Sequence, residues 1–327
     1  MAIKTGLASQ VGLKKESVYG TAVVVDRFFY AESFSVTPVL RKRRVRARGA
    51  GIVDLTAMQQ TVVIGYKGKM VLPVMDKSFG IFNQAILGAN TTAQVGGTAE
   101  YSHTGIIDLT TAMQGVSYTV QGGVPGTDGT VRTFTGEGGK VVSWELACSD
   151  GDNVKLTLDW DFETGATNTA LASVSYPSGW TPYVSEDCVW TIAAAAVFVK
   201  GWSLKGAPTW DFQRVGQATV LKKEPLWVGG YNIDFALDCE FEDLTHVTTM
   251  IAGTQQAALL TITGDLIPTT ANPYKIVATI TKMDLEQNDN PVVDGDGIVR
   301  QALKGHVLYD GSTAPISLAI HNADTVA

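Results

Sequence analysis

Residues 141–160 read VVSWELACSDGDNVKLTLDW, two apolar runs around a Ser-Asp-Gly-Asp-Asn cluster. In the second run Leu156, Leu158 and Trp160 fall on one face, and Thr157 and Asp159 on the other. Alternation with turn chemistry between the runs predicts an antiparallel hairpin with one dry and one wet face. Working outward, the same signal recurs at 61–64, 116–121, 233–239, 259–263, 276–280 and 316–320. Clusters of Gly, Asp, Asn and Pro at 125–129, 149–153 and 288–296 separate the runs. Two segments carry helical spacing instead. Within 73–87, Met75, Phe79, Phe82 and Ile86 make one apolar stripe that stops at Gly88. Within 243–251, Asp243 is placed to cap, Val247, Met250 and Ile251 supply the stripe, and Gly253 ends it. The fold class is therefore mainly β with an α+β flavour.

The chain of 327 residues is 45% hydrophobic and 17% charged, which excludes intrinsic disorder. Its longest apolar stretch, 192–199, is too short for a membrane span. The opening residues MAIKTGLASQ lack the apolar core of a signal peptide, and three cysteines (Cys148, Cys188, Cys239) do not make a disulfide framework. A reducing cytoplasm is the expected folding compartment. Length fits one large module over 1–327, with a turn-rich stretch at 164–190 as the weak boundary between halves 1–165 and 190–327. Strands and one helix recur in the same order on both sides, but no residue repeat aligns them.

The net charge is −7, against tight nucleic-acid binding by the chain as a whole. Residues 41–48, RKRRVRAR, depart from it: Arg41, Lys42, Arg43, Arg44, Arg46 and Arg48 are six cations in eight positions. The rest of the chain is then more acidic than the whole. That asymmetry suits an electrostatic contact between subunits; a solvated basic loop or a nucleic-acid patch fits the same residues.

Motifs for chemistry are scarce. Gly138-Gly139-Lys140-Val141 lacks the spacing and the Ser/Thr of a phosphate loop. Gly122 to Gly126 reads as a hairpin turn. The four histidines, His103, His246, His306 and His321, have no ligand or triad spacing. Residues 284–297 are acidic and Gly-rich, with Asp289, Asp294 and Asp296 as candidate Ca²⁺ carboxylates, yet no EF-hand spacing; a metal-free turn is the better reading. Glu240, Glu242 and Asp243 are close in sequence, without a geometric warrant for glycosidase chemistry. No catalytic residue, cofactor or metal is expected.

The N-terminal pattern Gly12, Lys15-Glu16, Tyr19-Gly20-Thr21-Ala22 resembles the opening of major tail tube proteins of long-tailed, non-contractile bacteriophages, especially those infecting actinobacteria. Similar in order are Gly49, Gly51, residues 62–64, Gly65, Gly68 and a helix ending in Leu87-Gly88. The strand Gly139-Lys140-Val141-Val142-Ser143-Trp144-Glu145 follows, then Pro225-Leu226 and Asp234-Phe235 through Glu240-Phe241-Glu242-Asp243, and a tail with Ile320, Asn322, Ala323 and Asp324. The likeness runs over essentially the whole chain. The basic run is more basic than that pattern leads one to expect.

The resemblance implies an antiparallel β-sandwich or partial barrel with one or two short flanking helices and long inter-subunit loops. It implies a structural virion protein that polymerises as stacked homo-hexameric rings into the tail tube. Its partners would be itself, the tape-measure protein, and the tail terminator and distal tail proteins; DNA would pass through the lumen without specific binding. Three two-module chains per ring compete with six single-module chains. The tube would be assembled in the host cytoplasm, with no membrane. Inter-subunit contacts are expected at Glu16, Tyr19 and the six cations of 41–48, and in an N-terminal arm 1–26 and a C-terminal tail 320–327. Residues 1–20 and 41–51 are expected to be mobile before assembly. A capsid-decoration or distal tail protein is the alternative, and a carbohydrate-binding or carbohydrate-active β protein a more distant one.

Overall fold

From the N-terminus the chain lays down β1 (Gln10–Lys15), β2 (Arg27–Phe29), β3 (Ser33–Arg44) and β4 (Gln59–Pro73), then α1 (Gly80–Leu87). Next come β5 (Gly88–Gln94), β6 (Tyr101–Ile107), β7 (Tyr118–Pro125), β8 (Val131–Ser149), β9 (Lys155–Phe162) and β10 (Thr164–Ala166). The remainder is β11 (Cys188–Ile192), β12 (Ala195–Val197), β13 (Val199–Asp211), β14 (Leu226–Glu240), α2 (Thr245–Ala252), β15 (Gln256–Leu266), β16 (Pro273–Asn288), β17 (Arg300–Val307) and β18 (Ile316–Asn322). This computed structural model describes residues 6–44, 59–107, 113–215, 220–288, 291, 293 and 297–326.

The hairpin at 141–160 is the spine of the molecule. Leu156, Leu158 and Trp160 are buried while Thr157 and Asp159 stay partly open, as the alternation requires. β8 is long enough to serve two sheets. Its first half lies between β7 and β10, in the order β2-β1-β7-β8-β10. Its second half lies between β9 and β13, in the order β3-β4-β9-β8-β13-β14-β17-β16. β16 changes neighbours in the same way. Its end pairs with β17, and its beginning lies in the order β12-β11-β15-β16-β18-β6-β5. Register shifts between Val141 and Ser143 and between Leu285 and Gln287 mark these changes, the usual way a strand turns a corner between layers. Every pairing is antiparallel, and the sheet does not close into a barrel. The expected mainly-β sandwich is what the chain forms.

One connected core runs from Val11 to Ile320. α1 sits inside it. Phe79, Phe82 and Ile86 meet Trp144, Leu146 and Leu156 on one side and Ile276, Leu318 and Ile320 on the other, around a small apolar cavity. Asn83 is fully buried there because its amide donates to the carbonyls of His103 (2.8 Å) and Leu318 (3.0 Å), pinning the helix between strands.

Both helices are shorter than their sequence signals. Residues 73–79 end β4 and turn, so α1 begins at Gly80. Gly88 closes α1 with φ 92, a conformation that a side chain would resist. α2 starts at Thr245, whose N–H donates to Asp243 Oδ1 at 2.7 Å. It buries none of its residues, and Ile251, expected on the apolar stripe, is 78% exposed. The two halves therefore use their helices differently: one as core, the other as cover.

Candidate assembly surfaces

The N-terminal motif is built into the body. Glu16 is 2% exposed, and four groups donate to its carboxylate. Oε1 accepts from Thr119 Oγ1 (2.8 Å) and the Gly138 N–H (2.8 Å); Oε2 accepts from Ser117 Oγ (2.7 Å) and the Gly20 N–H (3.1 Å). A carboxylate so supplied is a strong cross-link between a turn and a sheet. Gly20 is required at that turn: its φ is +71, and a Cβ would stand 1.7 Å from Glu163 Oε2. Thr119 Oγ1 also accepts from the Val23 N–H at 3.1 Å, so the arm is tied on both sides of Gly20.

Around this lock lie further charges. Glu137 and Glu163 are half-buried, and burial first, then the negative charge of Glu16, pushes both carboxyls above their ordinary pKa. Burial, followed by Glu163 and Asp161, raises the Tyr19 phenol far above its usual range. Its hydroxyl is buried without a hydrogen-bond partner among the described residues. Lys140 is 2% exposed, pairs with Glu224 at 2.7 Å and lies 5.2 Å from the Trp210 ring centre. Burial pushes its ammonium below the ordinary value, while Glu224 opposes the shift.

The basic run has the opposite environment. Arg41, Lys42, Arg43 and Arg44 finish β3, facing Val62, Thr61, Gln60 and Gln59 of β4, so this part of the run is strand, which the solvated-loop alternative did not anticipate. β4 meets β9 only from Tyr66 onward, so among the described residues the β3–β4 pair beyond it is a two-stranded ribbon. Seven residues of β4 extend it by about 20 Å. All four cations are exposed, and none has an ion pair among the described residues. Arg46 and Arg48 lie outside the described residues, as do the metal candidates Asp289, Asp294 and Asp296. Among the described residues no His, Cys, Asp or Glu group is placed to hold a metal ion.

At the ribbon's base Lys222 Nζ lies 2.8 and 2.9 Å from the Asp161 carboxylate oxygens, with both residues largely buried. Sixty-one positions separate the pair, and no sequence pattern announces it. The C-terminal motif is likewise turned inward. Asn322 is buried against His103 Nε2 at 2.9 Å, and Asp324 Oδ2 accepts from the Ser78 N–H just before α1. The structure thus divides the predicted contact residues. Glu16 is engaged within the chain, Tyr19 lies beside it with its hydroxyl unpaired among the described residues, and the cations of β3 are exposed.

Open edges complete the surface. Among the described residues β2, β3, β5, β10 and β12 each pair on one side only. β3 is the longest of them at twelve residues, and Leu40 and Val63 on its ribbon are exposed as well. Such an edge invites another chain. The architecture is that of a subunit made for assembly.

Comparison with known families agrees. A family model described as phage tail tube protein matches residues 6–307, and the chain belongs to that family. No individual curated protein matches it. The family is structural, assembles with itself into a tube and resides in the virion tail. No helix among the described residues is long and apolar enough to cross a membrane.

Proposed function

We propose that this chain polymerises as stacked rings into the tail tube of a long-tailed, non-contractile phage. The tube encloses the tape-measure protein and conducts DNA during ejection, and the chain itself catalyses nothing. The observation that carries this reading is β3: twelve residues, paired on one side, exposed along most of their length. A neighbour's edge strand added there continues the sheet, and a heterologous contact that closes on itself makes a ring. Six single-module chains per ring fit the one continuous core and the β8–β13 pairing, which joins the two halves of the sequence into a single sheet. The tail terminator and distal tail proteins cap such a tube, which is assembled in the host cytoplasm. Excess acid suits a lumen that passes DNA without holding it.

Negative-stain electron microscopy of the purified chain at rising concentration tests the reading. Hollow, uniform tubes with regular striations and sixfold end views are the expected result. Closed oligomers that never elongate would instead indicate a decoration or distal tail protein.

A further inference from the structure

Two of the three cysteines meet where the central hairpin turns. Cys148 stands near the end of β8, 5% exposed, paired in register with Trp202 of β13. Cys188 opens β11 opposite Ile262 of β15 and is half-buried. Positions 148 and 188 are forty apart, yet one peptide unit links their side chains. The Cys148 thiol donates to the Asp152 carbonyl at 3.4 Å, and the Ser185 N–H donates to the same carbonyl at 3.1 Å. That N–H belongs to the peptide whose carbonyl, on Val184, accepts from the Cys188 thiol at 3.5 Å. Asn153 and Val184 form an antiparallel bridge, and the Gly151 N–H donates to Ser185 Oγ at 3.0 Å. The turn at 149–153 and the short helical turn Ser185–Asp187 are thus fixed against each other.

The two thiols are close enough for each to act on the ionisation of the other. Burial, ahead of any neighbour, pushes Cys148 up to about 11 and Cys188 up to about 12. Little thiolate is present at neutral pH, so both remain thiols while the chain folds. Cys239 lies apart from them. It is 1% exposed on β14, opposite Gln301 of β17, and serves as a built-in control.

We propose that Cys148 and Cys188 form a redox site, joining in a disulfide when the folded chain meets a small peroxide oxidant. Cys188, the more exposed of the two, reacts first. Its thiolate attacks one oxygen of hydrogen peroxide and becomes a sulfenic acid; the hydroxide released takes up the thiol proton as water. The Cys148 thiolate then attacks the sulfenic sulfur. The S–S bond forms, the S–O bond breaks, and the second hydroxide leaves as water with the Cys148 proton. Two thiols are oxidised by two electrons and one peroxide is reduced to two waters. The bond closes residues 148–188 into a loop that holds β9, β10 and the turn-rich stretch before β11. Closing a loop of that length removes entropy from the unfolded chain, so the bond staples the fold. On the tube reading the chain assembles reduced and is stapled after release, but the chemistry belongs to the single chain and stands without that reading.

Mass spectrometry of the purified full-length chain provides the test. Before oxidation, alkylation in denaturant should mark Cys148, Cys188 and Cys239. After exposure to a slight excess of hydrogen peroxide it should mark Cys239 alone. The intact mass should fall by about 2 Da, and a digest should yield the Cys148 peptide joined to the Cys188 peptide. A reductant should restore all the marks. Cys188→Ser should abolish the mass loss, and Cys239→Ser should retain it. The oxidised chain should also melt about 5 °C above the reduced one, a difference absent from Cys188→Ser. Full alkylation after oxidation, added oxygen without a link, or a link through Cys239 or between two chains overturns the inference. A Cys148–Cys188 bond that leaves the melting temperature unchanged overturns its role as a staple.

Discussion

The lock around Glu16 and the ribbon that carries Arg41 to Arg44 are both charged, and both were expected at subunit contacts. They differ in how far the charge is satisfied within one chain. Glu16 is sealed in and receives four hydrogen bonds. The four ribbon cations are exposed and meet no carboxylate among the described residues. A charge fully met inside the chain stabilises the fold, while a charge left unmet at the surface contributes little to it and is available to a partner. The two regions should therefore respond to mutation in opposite assays.

The largest effect is expected at the lock. Glu16→Ala leaves four donors without their acceptor, and urea unfolding should show a loss of about 3–4 kcal/mol. A loss under about 1 kcal/mol would mean that water replaces the carboxylate and that the lock is weaker than its geometry. Gly20→Ala comes next. The backbone at φ +71 and the contact with Glu163 together should cost about 1–2 kcal/mol by the same measurement. An unchanged midpoint would show that the turn and Glu163 shift without cost.

The pH dependence sharpens the comparison. Glu137 and Glu163 have carboxyl pKa values raised in the folded chain, so the folded state holds their protons more tightly than the unfolded state. Stability from that source is present below the ordinary glutamate pKa and is lost as pH rises through the folded value. Glu163→Gln should therefore raise the urea midpoint at pH 7 relative to the parent, and the gain should shrink towards pH 4. A gain that grows towards pH 4 would reverse the sign of the coupling. The smallest change in fold stability belongs to the ribbon. Arg43→Glu with Arg44→Glu should move monomer stability by no more than about 0.5 kcal/mol, even where it weakens assembly. A larger loss would mean that the ribbon packs on its own body.

The two helices make a similar contrast. Their sequence signals looked alike, each an apolar stripe ending in glycine. α1 is enclosed between strands from both halves, and Asn83 is buried with it; α2 lies on the surface with Ile251 exposed. Local periodicity reports that a helix has an apolar side. It does not report whether two layers or one will cover that side.

Much of the site was legible in the same limited sense. The Lys-Glu and Tyr-Gly-Thr-Ala pattern marked the lock by resemblance, but three of the four partners of Glu16 lie 101, 103 and 122 positions away, beyond any local pattern. The basic run was visible as charge, but not the strand that carries Arg41 to Arg44, because cations carry no alternation when both faces of a ribbon are wet. Glu240, Glu242 and Asp243 were visible as neighbours in sequence. Only the fold placed them with His246 and Gln256 around one groove.

What the sequence by itself determined was the set of local elements: strands wherever apolar residues alternate, turns wherever Gly, Asp and Asn cluster, and a chain too apolar to stay unfolded. These follow from side-chain periodicity, which acts over a few residues. Tertiary structure alone decided which strand edges stay open and which charges are sealed. Those outcomes depend on pairings between distant strands, such as β8 with β13 and β4 with β9, and each pairing fixes the direction and exposure of every strand beyond it.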